Sequence, residues 1–160
     1  MPNAIEVKLS QLETRIQTLE DELQIINLMN SYGPAVDTGN PEATAALYSE
    51  DTVYETDGRP PMVGRQGVKD MVSGANHQAL LPNCAHTMGP SIVTVNGDTA
   101  TATGYSRVYV RKGDEFSLWR LSTNRWEFKR RDGRWLVHRR ENALVGTPKA
   151  QEIFKRGLVK

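Results

Sequence analysis

Four long strands joined by tight turns are predicted for the second half of the chain. The deciding stretch is residues 84–145, CAHTMGPSIVTVNGDTATATGYSRVYVRKGDEFSLWRLSTNRWEFKRRDGRWLVHRRENALV. Its Asn96-Gly97 and Asp132-Gly133 pairs supply the positive φ angles that two-residue hairpin turns need, and Lys112-Gly113-Asp114 marks a third turn. Strands of this length twist and curl. We therefore predict a strongly curved antiparallel sheet with strands near 84–95, 98–111, 116–130 and 134–145.

A long helix is predicted at the other end of the chain. Seven apolar residues there alternate steps of four and three, which is the spacing of a heptad repeat: Ile5, Leu9, Leu12, Ile16, Leu19, Leu23 and Ile26. This helix either lies across its own domain or meets another subunit, and the sequence leaves both open. Gly33-Pro34 should kink or end the helix nearby, because proline lacks a backbone donor and clashes with the preceding turn.

Shorter elements lie between and after these regions. Asn40 is predicted to cap a second helix, with Pro41 at its first position and Glu42 in its first turn. The pattern also predicts a strand at Val53-Tyr54, a loop over Gly58–Pro61, a helix over Gln66–Leu80 and a helix over 148–158. The predicted fold class is therefore α+β, in which N-terminal helices pack on a strongly curved antiparallel sheet and enclose a pocket.

Length and composition limit the domain count and the classes of partner. At 160 residues the chain is predicted to form one domain, 1–160, with a helical extension over 1–15 and a helical tail over 148–160. The 20 basic and 19 acidic residues give a net charge of +1, which provides no global field for nucleic acid or an anionic membrane.

The cysteine count and the N-terminus indicate the compartment. Cys84 is the only cysteine in the sequence, so a disulfide framework is excluded and a reducing compartment fits. The N-terminus lacks the basic-then-apolar pattern of a signal peptide, and no apolar run is long enough to span a membrane. We expect a cytoplasmic protein.

Three histidines are the candidates for acid–base chemistry near neutral pH. His77 lies in a polar stretch and is expected to be solvated. His86 opens the first long strand, on the same face as Cys84 and Met88. Asp37, just past the first helix, is its natural partner, because a carboxylate that holds one imidazole nitrogen leaves the other free as a general base. Alternatively, Asp37 accepts backbone N–H groups in the turn before the second helix.

Two parts of the sequence resemble SnoaL-like proteins of the nuclear-transport-factor-2-like superfamily. The resemblance lies in Leu19 to Leu23, Ile26, Tyr32, Asp37 to Asn40, Ala45 to Tyr48 and Glu50-Asp51, and in the ending Arg131 to Trp135 with Arg139-Arg140. It covers roughly residues 15–145 and implies a cone-shaped α+β barrel. It leaves the reaction open, because the superfamily contains cyclases, isomerases, epoxide hydrolases, dehydratases and proteins without known catalysis.

Within the superfamily, the chain is most similar to the branch of scytalone dehydratase, hexachlorocyclohexane dehydrochlorinase and bile-acid 7α-dehydratase. Enzymes of that branch share an Asp at the end of the first helix and a His at the start of a strand, and Asp37 and His86 match these positions. Tyr32 matches a tyrosine five residues before the aspartate, and Arg140 matches a late-strand arginine. The resemblance implies that His86, Asp37, Tyr32 and Arg140 are catalytic.

Substrate contacts are expected from five further residues, of which the last three share one face of the second long strand: Tyr48, Tyr54, Tyr105, Arg107 and Tyr109. Quieter roles stay open for three of the candidate residues. Tyr32 and Tyr48 would serve equally as core aromatic residues, and Arg140 would pair with an acid of the first helix. The histidines lack metal-ligand spacing, so neither a metal nor a cofactor is predicted.

The resemblance implies a cofactor-independent lyase, a dehydratase-like enzyme acting on a small hydrophobic cyclic, polyketide-, terpenoid- or steroid-like substrate. His86 would remove a proton, Asp37 would orient the imidazole, and Tyr32 or Arg140 would bind developing negative charge. The alternatives are an isomerase or cyclase of the same superfamily, or a non-catalytic small-molecule-binding or assembly module. We also expect a homo-oligomer, a dimer or a trimer, because the heptad-spaced helix and the outer sheet face need covering.

Overall fold

The computed structural model describes residues 3–158 and confirms the α+β class. Residues 1, 2, 159 and 160, the ends of the predicted extension and tail, lie outside the described residues. The helices are α1 (Ala4–Asp37), α2 (Pro41–Ala45), α3 (Gly64–Ser73), α4 (Ala75–Gln78) and α5 (Pro148–Leu158). The strands are β1 (Tyr48–Thr56), β2 (Met62–Val63), β3 (Cys84–Asn96), β4 (Thr99–Lys112), β5 (Glu115–Arg131) and β6 (Arg134–Leu144).

The six strands form one mixed sheet in the order β2-β1-β6-β5-β4-β3. The predicted antiparallel meander is confirmed for β3 to β6, within two residues of the predicted bounds. The prediction of a wholly antiparallel sheet is wrong at one place, because β1 pairs with β6 in parallel, with Tyr54 opposite Arg140. Hairpin turns in the sequence predict pairing only between strands that follow one another. Strands β1 and β6 are separated in the sequence by helices and by the strands of the meander, so their pairing could not be predicted in this way. The curvature of the sheet stays a prediction.

Helix α1 ends close to Gly33-Pro34, as predicted. It continues through Gly33 and Pro34 and ends at Asp37. One proline removes one backbone donor, and the apolar face of the helix compensates by packing on the sheet through Ile25, Met29, Tyr32 and Val36. The result places the carboxylate of Asp37 at the helix end, beside the first residues of β3.

The connecting elements follow the prediction with two differences. Helix α2 begins as predicted, with the Asn40 side chain accepting a hydrogen bond from the N–H of Ala43 and Pro41 in the first turn. The predicted single helix over Gln66–Leu80 is instead divided into α3 and α4 at Gly74, whose backbone is extended. Strand β1 is longer than the predicted Val53-Tyr54. Within residues 3–158, none of the helices combines the length and apolarity that crossing a membrane requires.

Candidate active site

Asp37 holds His86 at two points. Its Oδ1 accepts a hydrogen bond from the ring Nδ1 at 2.5 Å, and its Oδ2 accepts one from the backbone N–H at 2.7 Å. The two residues come from different elements, the C-terminal end of α1 and the start of β3. Both carboxylate oxygens accept hydrogen bonds from His86 of β3. The alternative, in which Asp37 accepts only backbone N–H groups of the turn before α2, is therefore wrong. Two contacts from one carboxylate fix both the position and the rotation of the imidazole.

The hydrogen bond assigns the proton of the imidazole. In neutral His86, a proton on Nδ1 pointing at a carboxylate leaves the lone pair on Nε2. Among residues 3–158, no side chain or backbone group forms a hydrogen bond with this Nε2, and the ring lines the main cavity. Burial raises the pKa of Asp37, but the hydrogen bonds from the ring and the backbone of His86 outweigh it and the pKa is lowered. Asp37 is therefore ionised at neutral pH.

Cys84 lies beside this pair, with Sγ 3.4 Å from Oδ1 of Asp37. One ligand atom each from Asp37, Cys84 and His86 falls within a span of 4.8 Å, which would suit a metal ion. Burial and the neighbouring Asp37 carboxylate raise the pKa of the Cys84 thiol to about 12, so in the absence of a metal ion the sulfur is protonated.

Arg140 reaches the interior because of a β-bulge. Alternation along β6 would place it on the face opposite Trp135 and Val137. The register shifts between these residues: Phe128 of β5 is opposite Val137, whereas the preceding Glu127 is opposite Arg139, so His138 is the extra residue. The bulge returns Arg140 to the inner face, across from Trp126. The side chain is 2% exposed.

The guanidinium of Arg140 is surrounded by aromatic rings and neutral oxygens. Its carbon lies 3.9 Å from the ring centroid of Trp126, 4.3 Å from that of Tyr32 and 4.5 Å from that of Tyr54. Its Nε and Nη2 donate to Oδ1 of Asn124 at 3.1 and 3.0 Å.

The alternative in which Arg140 pairs with an acid of α1 is wrong, since Asp21 of that helix pairs with Arg130 instead. No acidic residue in the described part of the chain forms an ion pair with Arg140. A buried cation without an anion is costly unless a ligand or a reacting group supplies the charge.

The three inward tyrosines occupy different places around Arg140. Tyr32 and Tyr54 line the cavity, and the Tyr32 ring lies edge-on to His86 with 6.2 Å between centroids. Tyr48 is fully buried, does not line the cavity, and has its hydroxyl 3.5 Å from Nη1 of Arg140. Its position favours a core and supporting role over the predicted contact with substrate. Burial raises the pKa of Tyr32 well above its usual value, so its phenol stays protonated and able to donate.

The cavity holding these groups has a volume of about 720 Å³. Apolar side chains from α3, the turn after α4, β3 and β4 form much of its wall. They include Met71, Leu80, Met88 and Val108. Polar atoms also face it: the hydroxyl of Thr56 is buried without a hydrogen-bond partner among the described residues, and Arg120 lies on the wall. This wall combines apolar surface with a small number of directed polar groups, as ligand sites do.

His77 is not solvated, contrary to the prediction. It is 8% exposed, lines the cavity and lies 5.8 Å from His86 between ring centroids. Its Nε2 donates to the carbonyl oxygen of Val36 at 2.8 Å. The extended backbone of Gly74 turns the short helix α4 back over the end of α1, which a continuous helix over Gln66–Leu80 would not do. The site therefore contains two neighbouring imidazoles.

The predicted substrate contacts on β4 point the other way. Ser106 and Val108 line the cavity, so Tyr105, Arg107 and Tyr109 lie on the opposite face of the strand. Tyr105 is 43% exposed and its ring packs edge-on against Phe154 of α5. The prediction that these three residues contact substrate is therefore corrected. Periodicity showed that they share a face but could not show which face is inward.

Several residues of the site were missed from the sequence. Asn124 accepts from Arg140 and from Asn142, and its own amide donates to Ser106 at 2.6 Å. Together with Trp126 these residues orient the guanidinium. A signal existed in β5, where Asn124 sits two residues before Trp126 and therefore shares its inner face. An amide on an otherwise apolar face indicates a buried polar partner.

Comparison with known proteins identifies the family of this chain. Residues 17–141 match the SnoaL-like domain family. The chain belongs to this family. A solved NTF2-like protein with a cystatin-like fold, from Novosphingobium aromaticivorans, is 40% identical to this SnoaL-like chain, with a TM-score of 0.87 over 91% of this chain and 96% of the other. The predicted superfamily and its cone fold are confirmed.

More distant structures share the fold of the SnoaL-like chain. A candidate scytalone dehydratase from N. aromaticivorans is 20% identical, with a TM-score of 0.68 over 79% of this chain and 85% of that one. Hexachlorocyclohexane dehydrochlorinase LinA-type3 from Novosphingobium barchaimii is 18% identical, with a TM-score of 0.70 over 82% and 90%. No curated protein matches the sequence. At these identities, the SnoaL-like fold is what the chains have in common.

Proposed function

We propose that the protein is a cofactor-independent lyase that eliminates water from a small hydrophobic cyclic substrate, using Asp37 and His86 as a general-base pair. One observation carries the proposal. The imidazole that Asp37 holds through Nδ1 opens with its other nitrogen toward a cavity that also contains the unpaired guanidinium of Arg140. A base and a cation that line one cavity suit a reaction in which carbanionic charge develops.

The first step is removal of a proton from carbon. Nε2 of His86 takes a proton from a carbon next to a carbonyl or a conjugated system, and the C–H electron pair moves into an enolate. Asp37 stabilises the imidazolium that forms, since its ionised Oδ1 already accepts the Nδ1 proton. A positioned base of this kind typically contributes about 10²- to 10⁴-fold in rate.

The enolate oxygen needs donors during this step. Arg140 is permanently charged, and its guanidinium has protons beyond those shared with Asn124 and Tyr48. Tyr32 adds a phenol that stays protonated because burial raises its pKa. Preorganised donors in a site that excludes water stabilise such charge by several kcal/mol, about 2.7–4 for one donor. These features support a stabilised enolate rather than a simple binding pocket.

The second step expels the leaving group. The enolate electrons form the carbon–carbon double bond as the bond to the neighbouring hydroxyl breaks, and the departing hydroxide takes a proton from the His86 imidazolium, so that one water leaves. Thr56 is placed to bind a substrate oxygen, because its buried hydroxyl lacks a partner among the described residues. His77 offers a second polar group close to His86.

The substrate class follows from the wall of the cavity. A volume of about 720 Å³ with Met71, Leu80, Met88 and Val108 on its walls supports a hydrophobic molecule of one to a few fused rings. The two distant structures named as a dehydratase and a dehydrochlorinase support elimination as the reaction type, through their fold.

The test is a screen of hydroxylated cyclic ketones and related compounds with product analysis by mass spectrometry. We expect a product lighter by one water, and we expect it to disappear with His86→Ala while ligand binding and the folded state persist. A product of unchanged mass would support an isomerase instead. Binding without any turnover, unchanged by His86→Ala and Asp37→Ala, would reject catalysis.

A further inference from the structure

The N-terminal part of α1 carries an exposed apolar stripe, which we call the α1 seam: Ile5, Leu9, Leu12, Ile16, Leu19, Leu23 and Ile26. Each of these side chains is between 38% and 72% exposed. They follow heptad spacing, with Leu9, Ile16 and Leu23 at a positions and the other four at d positions. A stripe this long is unusual on the surface of a monomer, where large apolar residues are more often scattered.

The first part of α1 is exposed on all sides. Residues 3–20 are all exposed, so the helix does not lie across its own domain there. The segment extends for roughly 25 Å at 1.5 Å per residue. Helices of about this length are marginal alone in water, and a capping box between Asn3 and Glu6 stabilises only one end. A helix–helix contact would supply the missing stabilisation.

The seam stays accessible where α1 reaches the domain. Asp21, Ile25 and Met29 are buried against the rest of the chain. At 100° per residue, their side of the helix is turned by more than 120° from the side that carries Leu19, Leu23 and Ile26. A second helix can therefore follow the seam along its whole length without meeting the sheet.

The charges beside the seam complement a second copy of the same helix. Lys8 and Arg15 occupy g positions, and Glu13 and Glu20 occupy e positions. In a parallel, in-register coiled coil, each g residue meets the e residue five positions later in the partner. Lys8 then faces Glu13 of the partner, and Arg15 faces Glu20 of the partner.

The same charges disfavour other arrangements. Antiparallel pairing would bring g positions against g positions and e positions against e positions. The charged e positions, Glu6, Glu13 and Glu20, would then repel one another, while at the g positions Glu22 of the partner would offset part of the repulsion between Lys8 and Arg15. None of the four residues that pair in the parallel form forms an ion pair within residues 3–158, so all four are available. At the centre of the seam, Ile16 at a with Leu12 and Leu19 at d follows the residue choice of two-stranded coiled coils, whereas the flanking a and d positions do not.

We propose that the α1 seam binds a second copy of this chain as a parallel, in-register, two-stranded coiled coil. The contact buries the seven apolar positions of each helix and forms two charge pairs from each chain to the other. It lies at the far end of α1 from Asp37, so each cavity is left open. The inference is independent of the proposed elimination, and neither result bears on the other.

The first test measures the mass of the full chain by size-exclusion chromatography with light scattering. We expect the wild type to elute at a multiple of the 17.9 kDa chain mass, and Leu12→Lys with Ile16→Lys to reduce the number of associated chains by half. The matched control is Gln11→Lys with Thr18→Lys, which adds the same charge at exposed c positions of the same helix. A monomeric wild type, or seam variants that keep the wild-type mass, would overturn the proposal.

The second test measures orientation by disulfide formation. In a Cys84→Ala background, Ile5→Cys places a thiol at a seam position that meets its own copy only in the parallel register. Mild oxidation should then link two chains, whereas Gln11→Cys, facing away from the seam, should stay unlinked. An oligomer that persists while Ile5→Cys fails to cross-link would overturn the parallel arrangement. Denaturing gel electrophoresis without reductant reads the result directly.

Discussion

Gly33 of α1 packs directly against the carbonyl oxygen of His86 in β3. A methyl group built on Gly33 would overlap this oxygen, and the backbone on both sides is fixed, by the helix and by the sheet. The close approach brings the end of α1 near enough for Asp37 to contact both the ring and the backbone N–H of His86. The glycine therefore sets the distance within the proposed catalytic pair.

Replacement of Gly33 by alanine should separate α1 from β3. We expect Gly33→Ala to lower the free energy of unfolding by about 1–3 kcal/mol, the usual cost of overpacking a tight contact. We also expect turnover to fall, because the separation acts on the hydrogen bonds from His86 to Asp37. Denaturant unfolding and steady-state kinetics give the two values. Ser31→Ala, at an exposed position of the same helix, is the control and should change neither.

Loss of the charge on Asp37 should impair catalysis while the fold is kept. In Asp37→Asn the amide still reaches β3, but it no longer stabilises an imidazolium or enforces one tautomer of His86. We expect turnover to drop by about 10²- to 10⁴-fold. Proton NMR provides a check that needs no substrate, since the hydrogen-bonded Nδ1 proton of His86 should give a far-downfield signal in the wild type only. The same signal in both proteins would contradict the pairing.

Local patterns in the sequence predicted most of the fold. Glycine-containing turns placed four strands within two residues, and Asn40 with Pro41 placed the start of α2. The parallel pairing of β1 with β6 was not predicted, because it joins residues about 85 positions apart and depends on the whole meander between them. The break at Gly74 was also missed, since a glycine within a helical pattern is often tolerated.

Part of the candidate site was predicted from the sequence. The errors concern residues whose position depends on the register and the orientation of a strand. Asp37 and His86 were found because each lies at the end of an element, where the sequence signals are strongest. Arg140 was predicted only through the resemblance, because strict alternation along β6 would turn it away from Val137, and the bulge at His138 that turns it inward has no sequence signal of its own. The prediction of substrate contacts was wrong for Tyr105, Arg107 and Tyr109 for a related reason. Alternation shows that the three side chains share a face of β4, but it does not show which face lines the cavity.

Arg140→Met should lower turnover without lowering the stability of the fold. The variant removes a buried charge that forms no ion pair within residues 3–158, and Oδ1 of Asn124 keeps the hydrogen bond from Asn142. Burying a charge without an ion partner costs free energy, and methionine removes this cost while keeping an apolar side chain against the rings of Trp126 and Tyr32. We therefore expect an unchanged or higher melting temperature together with turnover reduced by about 10²- to 10³-fold. Calorimetry and kinetics on the same preparation measure both.

Arg107→Met is the matched control for Arg140→Met. Arg107 lies on a strand of the same sheet but on the face away from the cavity. It should keep wild-type turnover. If both variants lose activity equally, or if Arg140→Met unfolds at ordinary temperature, the role assigned to Arg140 is wrong.

Asp21 should stabilise the fold through a second buried pair. Its carboxylate accepts hydrogen bonds from Nη1 and Nη2 of Arg130 at 2.8 and 2.6 Å and from Nε1 of Trp135 at 3.1 Å. The side chain is 4% exposed, and the contact ties α1 to β5 and β6. We expect Asp21→Asn to lower the free energy of unfolding by about 1–3 kcal/mol, because it leaves the Arg130 guanidinium with only the exposed Asp98 as its anion. Asp114→Asn, which removes an exposed partner of Arg111, should have little effect.

The contribution of Asp21 should also disappear in acid. The hydrogen bonds from Arg130 hold the pKa of this carboxyl below its ordinary value of 3.8 in the folded chain. The unfolded chain therefore takes up the proton first, so the stabilisation is complete above the unfolded pKa and is lost as pH falls through the lower, folded value. The difference in unfolding free energy between wild type and Asp21→Asn should stay constant from neutral pH down to about 5 and shrink below 3.8. Denaturant unfolding of both proteins across this range measures it, and a difference that persists unchanged in acid would show that the loss in Asp21→Asn comes from packing rather than from the ion pair.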